Sequence, residues 1–346
     1  RPWMRRSALL TRRLCEAEHP VIWPEERIVF ARTIPVVPPL HTAAEGEALW
    51  AGRTRHEAGV ISNICADWEM VLAQGLLGRR AVATESLRRL SHDPVAGEFL
   101  ESAIETLDAA LDLAQRYAAE ARRQGRPEVA AILERVPAQP AQTFHEALQS
   151  LRFCQALVWL SGHYHVGLGR LDQYLWPYLE KDLAAGRLTE AEAEELLTEF
   201  FISLNKDHDL YPGVQPGDNG QSLMLGGCRR DGASGVNPLT AMALRAVHDV
   251  AMIDPKINLR MTGETDLELL TLAATLTQKG LGFPQYSNDA VVIPALVAHG
   301  YSEADARDYT VAACWEFIIP GRGMEVVNAG AGSLPAAVDH GVRAAL

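Results

Sequence analysis

No stretch of the chain reaches the run of about 18 apolar residues that a membrane span requires, so the sequence offers no transmembrane segment. Cysteine is scarce as well: five in 346 residues, Cys15, Cys65, Cys154, Cys228 and Cys314, odd in number, widely spaced and without a CxxC pair. That pattern argues against a disulfide framework and a paired-thiolate metal knuckle, and it implies a reducing compartment. Basic charge is also short, with 32 Lys and Arg against 44 Asp and Glu and a formal net charge of −12. Without clustered Lys and Arg, the counterion-release term that drives binding to a nucleic-acid backbone is missing. The first residues, RPWMRRSALLTRRLCEAEHP, have neither the uninterrupted apolar core of a signal peptide nor an initiator methionine. A cytoplasmic chain that begins inside a longer reading frame is expected. Internal repeats and low-complexity tracts are absent too, which points to one domain over 1–346.

What is present is a soluble, globular composition, 48% hydrophobic and 22% charged. The part up to about residue 140 is helical in character, although the first sixty residues, rich in Pro and Gly, are expected to form loops and short elements. From Glu98 to Ala121 the apolar residues Leu100, Ile104, Leu107, Leu111 and Ala114 fall on one face, and Gly125-Arg126-Pro127 ends that helix. A second helix is predicted from Asn63 to Leu77. Thr143 with Glu146, and Thr189 with Glu192, form capping boxes that start helices. Asn237-Pro238 supplies N-cap and first-turn chemistry for a helix ending near Val250, and another is predicted from Thr265 to Lys279 with Gly280 as its stop. Four short runs, SLMLGG (222–227), KINLRMT (256–262), AVVIPAL (290–296) and TVAAC (310–314), have strand character.

Reactive residues gather near the end. Cys314 closes an apolar run and is followed at the second position by Glu316, then by Phe-Ile-Ile-Pro-Gly. Alternate residues of an extended segment share a face, so a thiol and a carboxyl converge on one small volume. A charge inside WEFIIP is costly to bury without a purpose. Taken alone, Cys314 would be a buried core cysteine and Glu316 a loop carboxylate that caps a turn or meets an Arg such as Arg322. Cys154, in LRFCQAL, fits an inert buried thiol.

Three segments together carry a family resemblance: GRLDQYLWPYLEKDLAAGRLTEAEAEELL (169–197), DNGQSLMLGG (218–227) and GFPQYSNDAVVIPALVAHGYSEADARDYTVAACWE (282–316). The chain resembles the pyruvate formate-lyase-like glycyl radical enzymes from about Thr143 to Gly321. The resemblance implies an α/β fold, a ten-stranded α/β barrel of two half-barrels with outer helices, truncated here at the C-terminus, with a Cys-loop region at about 282–325. It implies Cys314 as thiyl-radical residue and Glu316 as acid/base. No cofactor is bound directly; a glycyl radical in a C-terminal RVxGY-like segment is installed by an S-adenosylmethionine/iron–sulfur activating enzyme. No such segment occurs in these residues, and the chain by itself is expected to be inactive. A small-molecule substrate, the activating enzyme and a homodimer are the implied partners, in the cytoplasm of an anaerobic or microaerobic bacterium, with neither nucleic acid nor membrane involved.

Within the family, pyruvate formate-lyase resembles a Cys-Cys pair, which acyl transfer needs; Trp315 departs from it. Cys-x-Glu is similar to the dehydratase and carbon–heteroatom lyase branch and to arylacetate decarboxylases. The lyases require a second acid, and GHYHVGLGR offers His163, Tyr164 and His165, with His165 first and His163 next. Asp289 is a further substrate contact, or else, beside Asn288, a turn or cap. Arg170 and Asp172 are expected to pair with each other structurally. Two rivals come from other classes. One is an inactive fragment or interaction subunit needing a partner with the radical glycine; the other is a metal-dependent hydrolase using His163, His165 and His208. The glycines of NAGAGSL lack a preceding strand and make no dinucleotide site.

Overall fold

The computed structural model describes residues 2–51, 62–160, 165–206, 220–313, 315–326 and 334–345, so that His163, Tyr164, His208 and Cys314 lie outside the described residues. The first sixty residues hold more helix than their pattern suggests: α1 (Trp3–Ala17) and α2 (Ala43–Ala51). α1 buries Ala8, Thr11, Leu14 and Cys15 at helical intervals. The arginines that interrupt its apolar pattern are ties to other helices. Arg6 meets Glu45 of α2 at 2.8 Å, and Arg12 meets Glu105 at 3.0 Å.

The predicted helix from Asn63 starts late, because Ser62–Cys65 is the strand β1 and α3 (Trp68–Arg89) begins on Asp67, whose carboxylate accepts from Met70 N. α3 kinks at Gly75 (φ +66°), where a Cβ would lie 2.5 Å from the Ala138 carbonyl oxygen. α4 (Pro94–Arg123) runs as predicted to a left-handed Gly125, and α5 (Pro127–Arg135) follows. At α6 (Phe144–Leu160) half of the capping box forms: Thr143 Oγ1 accepts from Glu146 N. The Glu146 carboxylate turns to Gln142 N and Arg135.

β2 (Val166–Gly167), α7 (Leu171–Ala184), α8 (Glu190–Leu204), β3 (Ser222–Gly226), α9 (Pro238–Val250), β4 (Lys256–Met261), α10 (Leu267–Thr277) and β5 (Gln285–Asn288) come next. The boxes at Thr189 and Asn237 are both complete, while α10 is capped by Asp266, one residue past the predicted start. The last elements are α11 (Asp289–Ala298), α12 (Glu303–Arg307), β6 (Thr310–Val311), β7 (Phe317–Ile318), β8 (Met324–Val326) and α13 (Leu334–Ala345). AVVIPAL is therefore α11, not a strand: Asn288 caps it by accepting from Ala290 N, and a short unbroken apolar run has no period to separate the two structures.

β3, β4 and β5 form a parallel sheet with α9 and α10 as crossovers, and β1 lies parallel to β2 and antiparallel to β8. A single bridge, Gly169 to Leu223, joins the two sheets, which gives the order β8-β1-β2-β3-β4-β5. Ten strands closed into a barrel are not formed among the described residues; eight strands in an open, mixed α/β arrangement are. Alternation along the strands sorts the two faces. Leu223, Leu225, Ile257 and Leu259 pack into the core shared with the helices. Ser222, Met224, Asn258 and Arg260 alternate with them on the other face. Among the described residues no helix is long and apolar enough to cross a membrane.

Candidate active site

The GRLDQY segment fixes the floor of the site. Asp172, fully buried, accepts from Gly226 N (2.8 Å), Thr240 Oγ1 (2.7 Å) and Gln173 Nε2 (2.9 Å), tying α7 to the end of β3 and to α9. Burial pushes its pKa up, which those donors offset in part. Arg170 donates to the Gly226 carbonyl (3.0 Å) and reaches Asp308 at 3.4 Å. The expected Arg170–Asp172 ion pair is thus replaced by two separate ties. Both bond to Gly226, and beyond it Arg170 reaches Asp308 while Asp172 holds Thr240.

Arg260 of β4 forms the second buried tie. Its guanidinium grips the Asp289 carboxylate twice, at 2.8 and 2.9 Å, donates to the Arg307 carbonyl at 2.9 Å, and stacks 4.0 Å over the Tyr309 ring. Asp289 also accepts from Tyr309 Oη (2.8 Å) and Cys228 N (2.9 Å). Burial alone would raise the Asp289 pKa, but Arg260 outweighs it and the net direction is down. The carboxylate is buried and filled by protein donors.

From Tyr309 the chain enters a hairpin. Thr310 pairs with Ile318 and Val311 with Phe317, and Ala312 N donates to Glu316 O at 3.1 Å. Position 314 falls inside this closure in the sequence. Glu316 is half-buried, and one of its oxygens, Oε2, accepts from Trp315 N at 3.0 Å. Arg322, one partner open to Glu316 in the sequence, pairs with Asp305 instead. The Trp315 ring is 53% exposed and stands edge-on to Phe317.

β3 brings the hairpin to His165. The Ser222 hydroxyl donates to the Ala313 carbonyl, and two residues earlier Gly220 lies against the imidazole. Gly220 has φ +60°, and a Cβ there would sit 2.1 Å from His165 Cδ2, so only glycine lets the ring lie in place. The His165 carbonyl accepts from Ile64 N, which anchors its backbone to β1. Gly167 has the same kind of role toward the hairpin, since a Cβ would meet the Val311 oxygen at 2.9 Å. Sequence reasoning missed Ser222, Gly220 and Arg260. The available signal was Arg260 on the alternate face of an otherwise apolar strand.

Among the described residues no group of three or more His, Cys, Asp or Glu is placed to hold a metal ion. Cys15, Cys65 and Cys154 are buried; burial pushes the thiols of Cys15 and Cys154 up to about 12, and that of Cys65 higher. Cys228 is half-buried. Alkylation of the native protein by iodoacetamide at pH 8, followed by peptide mass mapping, should label Cys228 before those three. Labelling of Cys154 ahead of Cys228 would contradict the packing around α6.

A family model described as pyruvate formate lyase-like matches residues 43–340, and the chain belongs to this glycyl radical enzyme family. The isethionate sulfite-lyase of Nitratidesulfovibrio vulgaris is 31% identical over 283 residues, which is 74% of this chain and 34% of that protein. The (2S)-3-sulfopropanediol dehydratase of Klebsiella oxytoca is 29% identical over 80% of this chain and 36% of its own length. Among solved structures, one from Roseburia inulinivorans concerned with 1,2-propanediol dehydration superposes with a TM-score of 0.81 at 27% identity, covering 93% of this chain and 50% of that one. The B12-independent glycerol dehydratase from Clostridium butyricum gives 0.71 at 30% identity, over 81% and 38%. The chain therefore spans about a third to a half of the length of these relatives.

Proposed function

We propose that this chain carries the thiol-bearing part of a glycyl radical dehydratase or carbon–heteroatom lyase acting on a small hydroxylated substrate. The observation that supports it best is the start of β3, where Gly220, two residues before the strand, lies against His165 and Ser222 holds the hairpin of Glu316. The substrates in the names of several relatives, isethionate, 3-sulfopropanediol, glycerol and trans-4-hydroxyproline, all carry a hydroxyl.

The family's glycyl radical, installed by an S-adenosylmethionine/iron–sulfur activating enzyme, supplies the one-electron chemistry that leaves Cys314 as a thiyl. Cys314 then takes a hydrogen atom from the hydroxyl-bearing carbon, so that the C–H bond breaks and S–H forms. Glu316 accepts the hydroxyl proton through the oxygen not engaged by Trp315 N. The bond to the leaving group on the next carbon breaks with its electron pair going to that group. His165, with His163 and Tyr164 as neighbours, supplies a proton when water leaves. The product radical recovers its hydrogen from the Cys314 thiol. Acyl transfer needs a second sulfur at position 315, where an exposed indole stands.

The test is product formation by the full-length protein after anaerobic activation. The panel is 1,2-propanediol, glycerol, isethionate, 3-sulfopropanediol, trans-4-hydroxyproline and indoleacetate, with pyruvate plus coenzyme A. Turnover of a hydroxylated substrate is expected. Formate release from pyruvate, or decarboxylation of indoleacetate without any elimination, would replace this reading.

A further inference from the structure

We infer that Arg260, Asp289 and Tyr309 act as a positioning clamp that sets the reach of the Cys-x-Glu hairpin, and so governs the rate of hydrogen transfer rather than substrate binding. The inference rests on the dehydratase or lyase reading and adds to it three residues whose described partners are one another and the root of the hairpin.

The clamp uses every donor of one guanidinium. Nε and Nη2 take the two oxygens of Asp289 (2.8 and 2.9 Å). Nη1 takes the Arg307 and Tyr309 carbonyls at 2.9 and 3.3 Å, and Nη2 also reaches Cys228 Sγ at 3.6 Å. The flat face of the guanidinium lies on the Tyr309 ring, whose hydroxyl closes the triangle onto Asp289 Oδ1 at 2.8 Å. A planar fork has one orientation in which all these bonds form, and a lysine ammonium could not reproduce it. Arg260 and Tyr309 are fully buried, and Asp289 nearly so. Gly227 admits the pair: a Cβ there would lie 2.5 Å from Arg260 Nε and 2.8 Å from Asp289 Oδ2.

What the clamp holds is the root of the hairpin. Tyr309 immediately precedes β6, and its ring meets Phe317 of β7 edge-on at 5.3 Å. Both strands are thereby referenced to one point on β4. A charged pair of this kind, bonded to backbone carbonyls on one side and an aromatic face on the other, resists a slide of the hairpin toward or away from the sheet. Misplacing reacting atoms by about 1 Å can cost roughly 100-fold in rate, so the setting of this root is a kinetic quantity.

Tyr309→Phe tests it most cleanly, because the ring, its stacking on Arg260 and its contact with Phe317 remain while the bond to Asp289 is lost. In the full-length activated enzyme, kcat per folded, radical-bearing molecule is expected to fall about 10- to 100-fold with KM within about twofold. Arg260→Lys, which keeps the charge and loses the fork, should behave alike. An unchanged kcat, a fall matched by loss of folded protein, or a rise in KM that accounts for the loss would overturn the clamp. If the wild-type enzyme turns over none of the panel compounds, the functional reading has failed by itself. The clamp is then decided by iodoacetamide labelling of Cys314 in the unactivated protein. A rate at least about threefold different in Tyr309→Phe supports it, and an unchanged rate rejects it.

Discussion

Glu316→Gln in the full-length activated enzyme should reduce product formation by about 100- to 10,000-fold, the usual worth of a positioned acid/base, while exchange of hydrogen between substrate and Cys314 persists. The amide keeps the volume of the side chain and its hydrogen bond from Trp315 N, but it has no oxygen able to take the hydroxyl proton. Cys314→Ser should abolish both, because a serine O–H bond is too strong to be exchanged for the thiol in hydrogen abstraction. Deuterium entering substrate from solvent, followed together with product under anaerobic conditions, separates the two variants. Near-normal product from Glu316→Gln would return Glu316 to the role of a turn carboxylate and end the lyase mechanism.

The largest loss of stability is expected away from the hairpin, at Asp172. Alanine there leaves the Gly226 N–H and the Thr240 hydroxyl without their acceptor in a fully buried position, and removes a carboxylate close to the buried Arg170. Each buried donor left without an acceptor costs about 1–3 kcal/mol, so losing two at once should cost about 2–6 kcal/mol. Thr240→Val removes one hydrogen bond from the same oxygen and should cost about 1–2 kcal/mol. Urea unfolding of the full-length protein, read at matched slopes, compares them. Equal losses for the two variants would show that Asp172 is no more than a partner of Thr240. Because its folded pKa is raised, Asp172 binds its proton more tightly in the native state than in the unfolded chain. Its contribution to stability is therefore largest below the unfolded pKa and declines as pH rises through the folded value, an effect that Asp172→Asn should remove.

Local chemistry was the legible part of the fold. Thr189 with Glu192, Asn237-Pro238 and the glycines after α4 and α10 announce helix ends, because the residues that satisfy orphan N–H groups sit within three positions of them. SLMLGG and KINLRMT read as strands because they are short, turn-bounded runs, and both are buried on their two faces, as parallel strands are. α1 was hidden by arginines whose partners lie on α2 and α4, far along the chain. Closure of a barrel is a property of many strands at once, and no single segment declares it. Cys-x-Glu and the histidines stand out in the sequence as residue types, while the grip of Arg260 on Asp289 spans 29 positions and has no local signature. The notion of an Arg170–Asp172 pair came from their nearness in sequence, which the fold does not use.

The segment before β3 also couples two parts of the candidate site. Gly220 touches the imidazole, Ser222 holds the residue before position 314, and Ser222 N closes a tight turn onto the Gly220 carbonyl at 3.0 Å. Both contacts are therefore made by one compact three-residue unit. A substitution that displaces Gly220 should disturb the root of the hairpin as well as the histidine, so the two cannot be adjusted independently of each other.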